Sequence, residues 1–258
     1  MKNLFRLTIL ALAILLVSSA SAQRGGQFRA LLFTKTAGFH HESINEGVTA
    51  IRKLGERHHF SVSWQENASV FNDRQLENFD VVIFLNTTGD VLNDEQQAAF
   101  EKFIQAGKGF VGIHSASDTE YEWEWYTKMV GHMFKIHPQI QTAKLQVIDR
   151  NFPGLSTLPD EFLWTDEWYQ FSEATIDDLN YIIKIDESSY DPNVKWGDNV
   201  GEGMGDMHPM AWYHEYDGGR AFYTGLGHVP AVFEDPMFLA HLYGGIYWAA
   251  KGMGVKKM

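Results

Sequence analysis

Residues 107–118, Gly-Lys-Gly-Phe-Val-Gly-Ile-His-Ser-Ala-Ser-Asp, constrain the fold of this chain more than any other stretch. The apolar run of Phe110, Val111 and Ile113 reads as a strand buried in a parallel sheet, where both faces are covered. Gly109 and Gly112 leave room for a neighbouring backbone or helix to come close. The run stops abruptly at His114 and Ser115. In open α/β sheets, ligands bind outside the carboxyl ends of such strands. His114 is therefore the first candidate for chemistry; the alternative is a histidine that ends a strand and bonds a loop carbonyl.

The chain leading up to this strand alternates between two periods. Residues 29–34, 60–64 and 80–85 read as strands, the last as a fully buried one. Between the first two, Ser43 and Glu46 fit a capping box for a helix with Ile44, Val48, Ile51 and Leu54 on one face, ending at Gly55. A second helix has Asn93 as its cap, Gln96 three residues on, Ala99, Phe100, Phe103 and Ile104 inward, and Gly107 just past its end. Strand and helix in alternation predict a doubly wound parallel sheet.

Beyond Asp118 the pattern changes. A helix over 122–130 is followed by strand-like pieces at 143–148, 162–171 and 181–185, then by a long loop over 186–207. Within that loop Gly201-Glu202-Gly203-Met204-Gly205 follows no strand and opens no helix, so it reads as a flexible flap and not as a nucleotide fingerprint. Residues 210–216 and 220–224 flank Asp217-Gly218-Gly219, a hairpin signal. A final helix has Asp235 as its cap and Pro236 in its first turn. There is no internal repeat, and the expectation is one domain over 29–252 with a short tail over 253–258.

The first residues carry an address. Lys2 and Arg6 precede an apolar run over 7–17, and Ser18-Ser19-Ala20-Ser21-Ala22 supplies an A-x-A cleavage site before Gln23. This predicts a signal peptide over 1–22, a leader over 23–28, and a periplasmic or secreted protein with no membrane attachment after cleavage. Without Lys2 and Arg6 the chain holds 19 basic against 33 acidic residues, a formal charge of −14. Such a surface repels nucleic acid and anionic membranes. The absence of cysteine excludes disulfides, a thiolate nucleophile, a zinc–thiolate site and a lipid-anchored N-terminal cysteine. Homo-oligomerisation is left open.

Three histidine-bearing loops follow strands: His40 and His41 after the first, His114 after the fourth, and His228 after the last. Each alone reads as structural. If the strands share one parallel sheet, the loops crowd one edge together with Asn86, Thr87 and Thr88, and a shared edge reads as a site. Asp166 and Glu167 form an acid pair in an aromatic strand, where alternation puts them on opposite faces and buries one of them. A buried carboxylate there suits a base or a histidine orienter. His40 with His114 and His228 could ligate a divalent ion, although no zinc-site motif is present. His132 and His137 lie in a loop with irregular spacing, His208 begins a strand, and His241 has the spacing of a packed helix residue. Ser115 is a candidate nucleophile outside any G-x-S-x-G pattern.

These stretches together resemble the ThuA-like family, named for trehalose utilisation. The matching segments are Thr36-Ala37-Gly38-Phe39-His40-His41, residues 109–116, Asp166-Glu167-Trp168-Tyr169, His208-Pro209-Met210-Ala211-Trp212, residues 219–228, and Trp248-Ala249-Ala250. The resemblance implies a flavodoxin-like, class I glutamine amidotransferase-like three-layer sandwich with a mostly parallel sheet and β-rich additions in the second half. Where the amidotransferases carry a nucleophilic cysteine, His114 stands, and the thioester route of a glutaminase is closed.

Together the readings predict an exported carbohydrate enzyme acting on a disaccharide, glycoside or 3-keto sugar. Its expected catalytic groups are His114, His228 and Glu167. Its expected substrate contacts are His40, His41, Thr87, Ser115, Asp118, Trp168 and His208. The rival is a protein that binds or senses sugar without turnover.

Overall fold

Apolar continuity sets the centre of the molecule. A computed structural model describes residues 26–255, so the predicted signal peptide lies outside the described residues. The strands β1 (Arg29–Phe33), β3 (Val81–Leu85) and β4 (Gly109–Ile113) are apolar at almost every position and buried along nearly their whole length. With β2 (Ser61–Gln65) they form the parallel half of a nine-stranded sheet of order β2-β1-β3-β4-β13-β12-β9-β6-β7. The pairings of β1 with β2 and β3, of β3 with β4, and of β4 with β13 (Gly219–Thr224) are parallel.

The β-rich second half extends this same sheet with antiparallel strands: β12 (His208–Tyr216), β9 (Asn180–Asp186), β6 (Gln141–Val147) and β7 (Glu161–Asp166). The β12–β13 hairpin turns at Asp217 and Gly218, both with positive φ as a tight hairpin turn requires. Two small antiparallel pairs stand apart, β5 (Phe134–Ile136) with the distant β8 (Gln170–Phe171), and the hairpin of β10 (Val194–Trp196) with β11 (Asn199–Gly201).

Helices cover both faces. On one side lie α1 (Ile44–His58) and α5 (Pro236–Lys251); on the other lie α2 (Asp73–Leu76), α3 (Asp94–Gln105) and α4 (Glu124–Val130). Neighbouring residues of β13 separate the layers, as strand alternation demands. Phe222 packs against Gly245 and His241 of α5, while Tyr223 turns to Trp212 and Ser117 on the opposite face. Phe110 of β4 joins that second face, against Phe100 of α3 and Tyr126 of α4. A Cβ at Gly109 would overlap the Ala249 carbonyl, so this glycine sets how closely α5 approaches the sheet. Among the described residues no helix is long and apolar enough to cross a membrane.

Local expectations divide. Asn93 and Gln96 form the reciprocal capping box, and Asp235 caps α5 by accepting from the Met237 and Phe238 amides. The Ser43–Glu46 box does not form: the Ser43 hydroxyl instead donates to the Gly227 carbonyl at 2.9 Å and leaves the helix end to other groups. Helix α1 runs past Gly55 to His58 and closes on His59 in the left-handed conformation. The 162–171 strand is broken, because Glu167, Trp168 and Tyr169 leave the ladder between β7 and β8. The expected flap is tethered: the Glu187 carboxylate accepts from the Met204 and Gly205 amides, and Gln170 Oε1 accepts from the Gly203 amide.

Candidate active site

Register brings distant parts of the chain to one edge of the sheet. In the parallel half, the carboxyl ends of β1, β3, β4 and β13 lie side by side, with Ile113 opposite both Leu85 and Thr224. The antiparallel half continues the same edge through the pairs Thr224–Ala211, His208–Ile185, Asp186–Lys144 and Gln141–Asp166. Asp166 and Glu167, at the end of β7, therefore open onto the edge reached by His114 and His228.

His114 sits at the first turn after β4 with φ of 49°, a left-handed conformation unusual for a side-chain-bearing residue. Its surroundings hold it there. Its carbonyl accepts from the Tyr223 hydroxyl at 2.6 Å, and its Nδ1 donates to the Gly225 carbonyl at 3.0 Å. That second bond fixes the tautomer, since a carbonyl can only accept, and turns the Nε2 lone pair towards the centre of the cluster. Asn86, at the end of β3, is also left-handed (φ 50°), and its Nδ2 donates to Ser43 Oγ at 2.8 Å.

Three side chains gather around His114 Nε2. His114 Nε2 lies 3.1 Å from His228 Nδ1 and 3.4 Å from Glu167 Oε2, and His228 Nδ1 lies 3.1 Å from the same carboxylate oxygen. His41 packs edge-on against both His114 and His228, with centroids 4.9 and 5.2 Å away, and its Nδ1 is 3.3 Å from Ser115 Oγ. The other Glu167 oxygen, Oε1, lies 3.1 Å from His137 Nδ1, which itself donates to the Pro138 carbonyl at 2.8 Å.

Asp166 and Glu167 are both buried, which corrects the expectation that only one would be. The strand ends at Asp166, so alternation no longer governs Glu167. The two acids divide the labour. Asp166 accepts from the backbone amides of Glu167, Gly227, His228 and Val229 at 2.9 to 3.1 Å and so builds the loop that carries His228. Glu167 faces the imidazoles.

Burial and charge set the proton affinities. Burial alone would raise the Glu167 carboxyl, but the imidazoles of His114, His228 and His137 around it overcome that and hold the group well below the usual carboxylate range. Burial would likewise lower His228, yet the Glu167 carboxylate outweighs it and lifts the imidazole above its ordinary value. For His41, burial first and then the neighbouring His114 and His228 push it down to about 2, so it stays neutral. A histidine of so little basicity is a poor activator for the Ser115 hydroxyl beside it.

His41, His114, Glu167 and His228 present donor atoms that all lie within 4.8 Å of one another. Three imidazoles and a carboxylate are the donor chemistry of a zinc-type divalent cation. His114 also has the supporting bond common in such sites, its second nitrogen donating to a backbone carbonyl.

Several expected contacts fall elsewhere. His40 is exposed and reaches only Thr36 Oγ1, so His41 takes the place given to it among the possible cation ligands. Thr87 is buried and bonded to Thr119 Oγ1 at 2.9 Å. Trp168 is fully buried, its indole donating to the Gln141 carbonyl, and offers no face to a sugar. His208 is fully buried between Glu187 Oε1 and the Tyr169 carbonyl, where it braces the tethered loop. Asp118 stays near the cluster, half-buried and bonded to the Tyr121 hydroxyl at 2.7 Å, with burial raising its carboxyl. His132 bonds Ser172 and Tyr181, and His241 bonds Thr224 inside the core. His137 and Asp166 are the functional positions the sequence left unassigned; the acid pair after an aromatic strand was the available signal for Asp166.

A family model for ThuA, described as trehalose utilisation, matches residues 29–249. A ThuA-like protein from Bacteroides uniformis is similar over 90% of this chain and 96% of its own, with a TM-score of 0.73 and 21% identity. One from Parabacteroides merdae is similar over 90% and 92%, at 0.68 and 18%. A β-galactosidase from Bacillus circulans sp. alkalophilus covers 92% of this chain with 33% of its own, at 0.56 and 12%. At these identities the likeness is one of fold, the class I glutamine amidotransferase-like sandwich. No curated protein matches the sequence.

Proposed function

This chain belongs to the ThuA family, the family of trehalose utilisation, and from that premise we propose an enzyme that moves protons on a disaccharide, a glycoside or a 3-keto sugar. One observation carries the reading: His114 Nε2 and His228 Nδ1 stand 3.1 Å apart over a single oxygen of the Glu167 carboxylate. A keto group acidifies the neighbouring C–H, and enolisation, isomerisation or elimination there needs a base, an acid and a group to stabilise the oxyanion.

His114 suits the base, because its bond to Gly225 reserves Nε2 as an acceptor. His228 suits the acid, because Glu167 raises its proton affinity and stabilises its charged form. Glu167 stays ionised and balances whichever imidazole holds the proton, while Asp166 fixes the His228 loop. His41, neutral and buried, presents a lone pair or a donor to a substrate oxygen. A divalent cation held by His41, His114, Glu167 and His228 would, when bound, polarise the sugar oxygens as a Lewis acid. The signal-peptide pattern over 1–22 supports action in the periplasm or outside the cell; recovery of the protein only from the cytoplasm, with residues 1–22 still attached, would count against that address.

The test is a mass-spectrometric product screen on disaccharides and their 3-keto forms, with and without chelator. Native protein should give product and His114→Ala should lose about 100-fold or more of the rate. Full activity in His114→Ala sinks the assignment. Saturable retention of an unchanged sugar, with no product, would replace the enzyme by a binding protein.

A further inference from the structure

Beside the cluster a cleft of about 560 Å³ opens under the β10–β11 hairpin, lined among others by His137, Gln139, Asp191, Asn193, Lys195 and Trp196. We propose that this cleft is a subsite for a second sugar ring, held against Trp196 while the first ring meets Glu167. The proposal rests on the carbohydrate reading above and deepens it from a substrate class to a two-ring substrate.

His137 joins the two places. Its Nδ1 faces Glu167 Oε1 at 3.1 Å, and its ring meets the Trp196 indole edge-on with centroids 4.6 Å apart. Trp196 is nevertheless 45% exposed, so part of its surface is free for a ligand. An exposed tryptophan alone would be unremarkable. Among the described residues this one is the only indole in the wall of a cleft whose remaining lining is mostly polar.

The cleft is built, not a gap between loose loops. Gln141 bonds the Asp191 backbone twice, its Nε2 donating to the carbonyl at 2.8 Å and its Oε1 accepting from the amide at 3.0 Å. Asp191 Oδ1 accepts from the Asn193 amide and side chain, which leaves Oδ2 without a partner among the described residues. Asn199 ties the hairpin to the Lys135 carbonyl at 3.2 Å. The Lys195 ammonium forms no ion pair among the described residues.

The lining selects the ligand. One carboxylate and one ammonium cancel, so nothing favours a phosphate or a polyanion. The apolar enclosure a lipid needs is absent. An aromatic face with scattered donors and acceptors suits a polyhydroxylated ring, whose C–H face covers the indole while its hydroxyls reach Asp191, Asn193 and Lys195. The volume lies within the usual range for small-molecule sites, about 300 to 1,000 Å³. Binding a ring remote from the chemistry is also how an enzyme orients the ring that reacts.

The experiment titrates native protein, Trp196→Ala and Trp196→Tyr with trehalose, maltose, cellobiose, sucrose and the 3-keto form of each disaccharide, and follows amide hydrogen exchange over 194–201. At least one disaccharide should slow exchange of the hairpin in the native protein. Trp196→Ala should weaken its binding about tenfold, and Trp196→Tyr should restore most of it. If a disaccharide binds Trp196→Ala as tightly as native protein, the subsite is wrong and the carbohydrate reading stands. If no disaccharide binds native protein, both fall.

Discussion

Replacing Asp166 by asparagine should both loosen the fold and misplace His228. Oδ1 accepts from the amides of Glu167, His228 and Val229 at 3.0, 3.1 and 3.1 Å, and Oδ2 accepts from Gly227 at 2.9 Å. An asparagine oxygen can keep the first three, but as neutral bonds, each weaker by about 1 kcal/mol. Its amide nitrogen then confronts the Gly227 N–H, donor against donor, at a cost of about 1–3 kcal/mol. Removing a fully buried charge returns several kcal/mol of desolvation, and burial already raises this carboxyl above its ordinary value. The net loss of stability should be about 2 kcal/mol. Denaturant unfolding reads it as a lower midpoint with an unchanged slope. Because the same bonds aim His228, sugar conversion should fall as well, by up to about 100-fold for a displacement of about 1 Å. A change below about 0.5 kcal/mol together with full conversion would refute the role given to Asp166.

Two further expectations separate residues that lie close in sequence or alike in type. His41→Ala should weaken divalent-cation binding at least about tenfold in a titration, whereas His40→Ala should leave it unchanged, since His40 is exposed and outside the cluster; equal losses would contradict the placement. His241 is held neutral in the core, where burial lowers it to about 3, while the unfolded chain protonates it near 6.5. The unfolded state therefore binds the extra proton, so this contribution is complete above about pH 6.5 and is lost as pH falls towards 3, by about 1.4 kcal/mol per unit. Denaturation at several pH values should show that slope reduced in His241→Leu, and an identical slope would count against it.

The parallel half of the fold was legible because its signals are local. Three apolar runs, one of them followed by a well-capped helix, specify strands and their common direction, and the strand ending in His114 names one edge. The antiparallel half was legible as strands but not as a path. Nothing near Glu167 says that β7 enters the sheet beyond β6 and points its end at His114; that follows from four successive registers. Alternation misled at Glu167 because the ladder stops one residue earlier. His40 and His41 could not be told apart, since a turn before a helix has no period, and only packing against His114 and His228 selects His41. Trp168 and His208 carried the right composition for a sugar site yet serve as internal braces, bonded to the Gln141 and Tyr169 carbonyls. Trp196 and His137 show the reverse case, ordinary loop residues in sequence that fold into the rim of the cleft.

The central claim, that His114 and His228 exchange protons with a sugar over Glu167, is tested most directly by isotope incorporation. Disaccharides and their 3-keto forms would be incubated in deuterium oxide with native protein and with His114→Ala, and the recovered sugars weighed by mass spectrometry. The account predicts deuterium at carbon beside the keto group, or in the product formed there, with native protein and none above background with His114→Ala. Equal incorporation by both proteins, or conversion of the sugar without any deuterium at carbon, would contradict it.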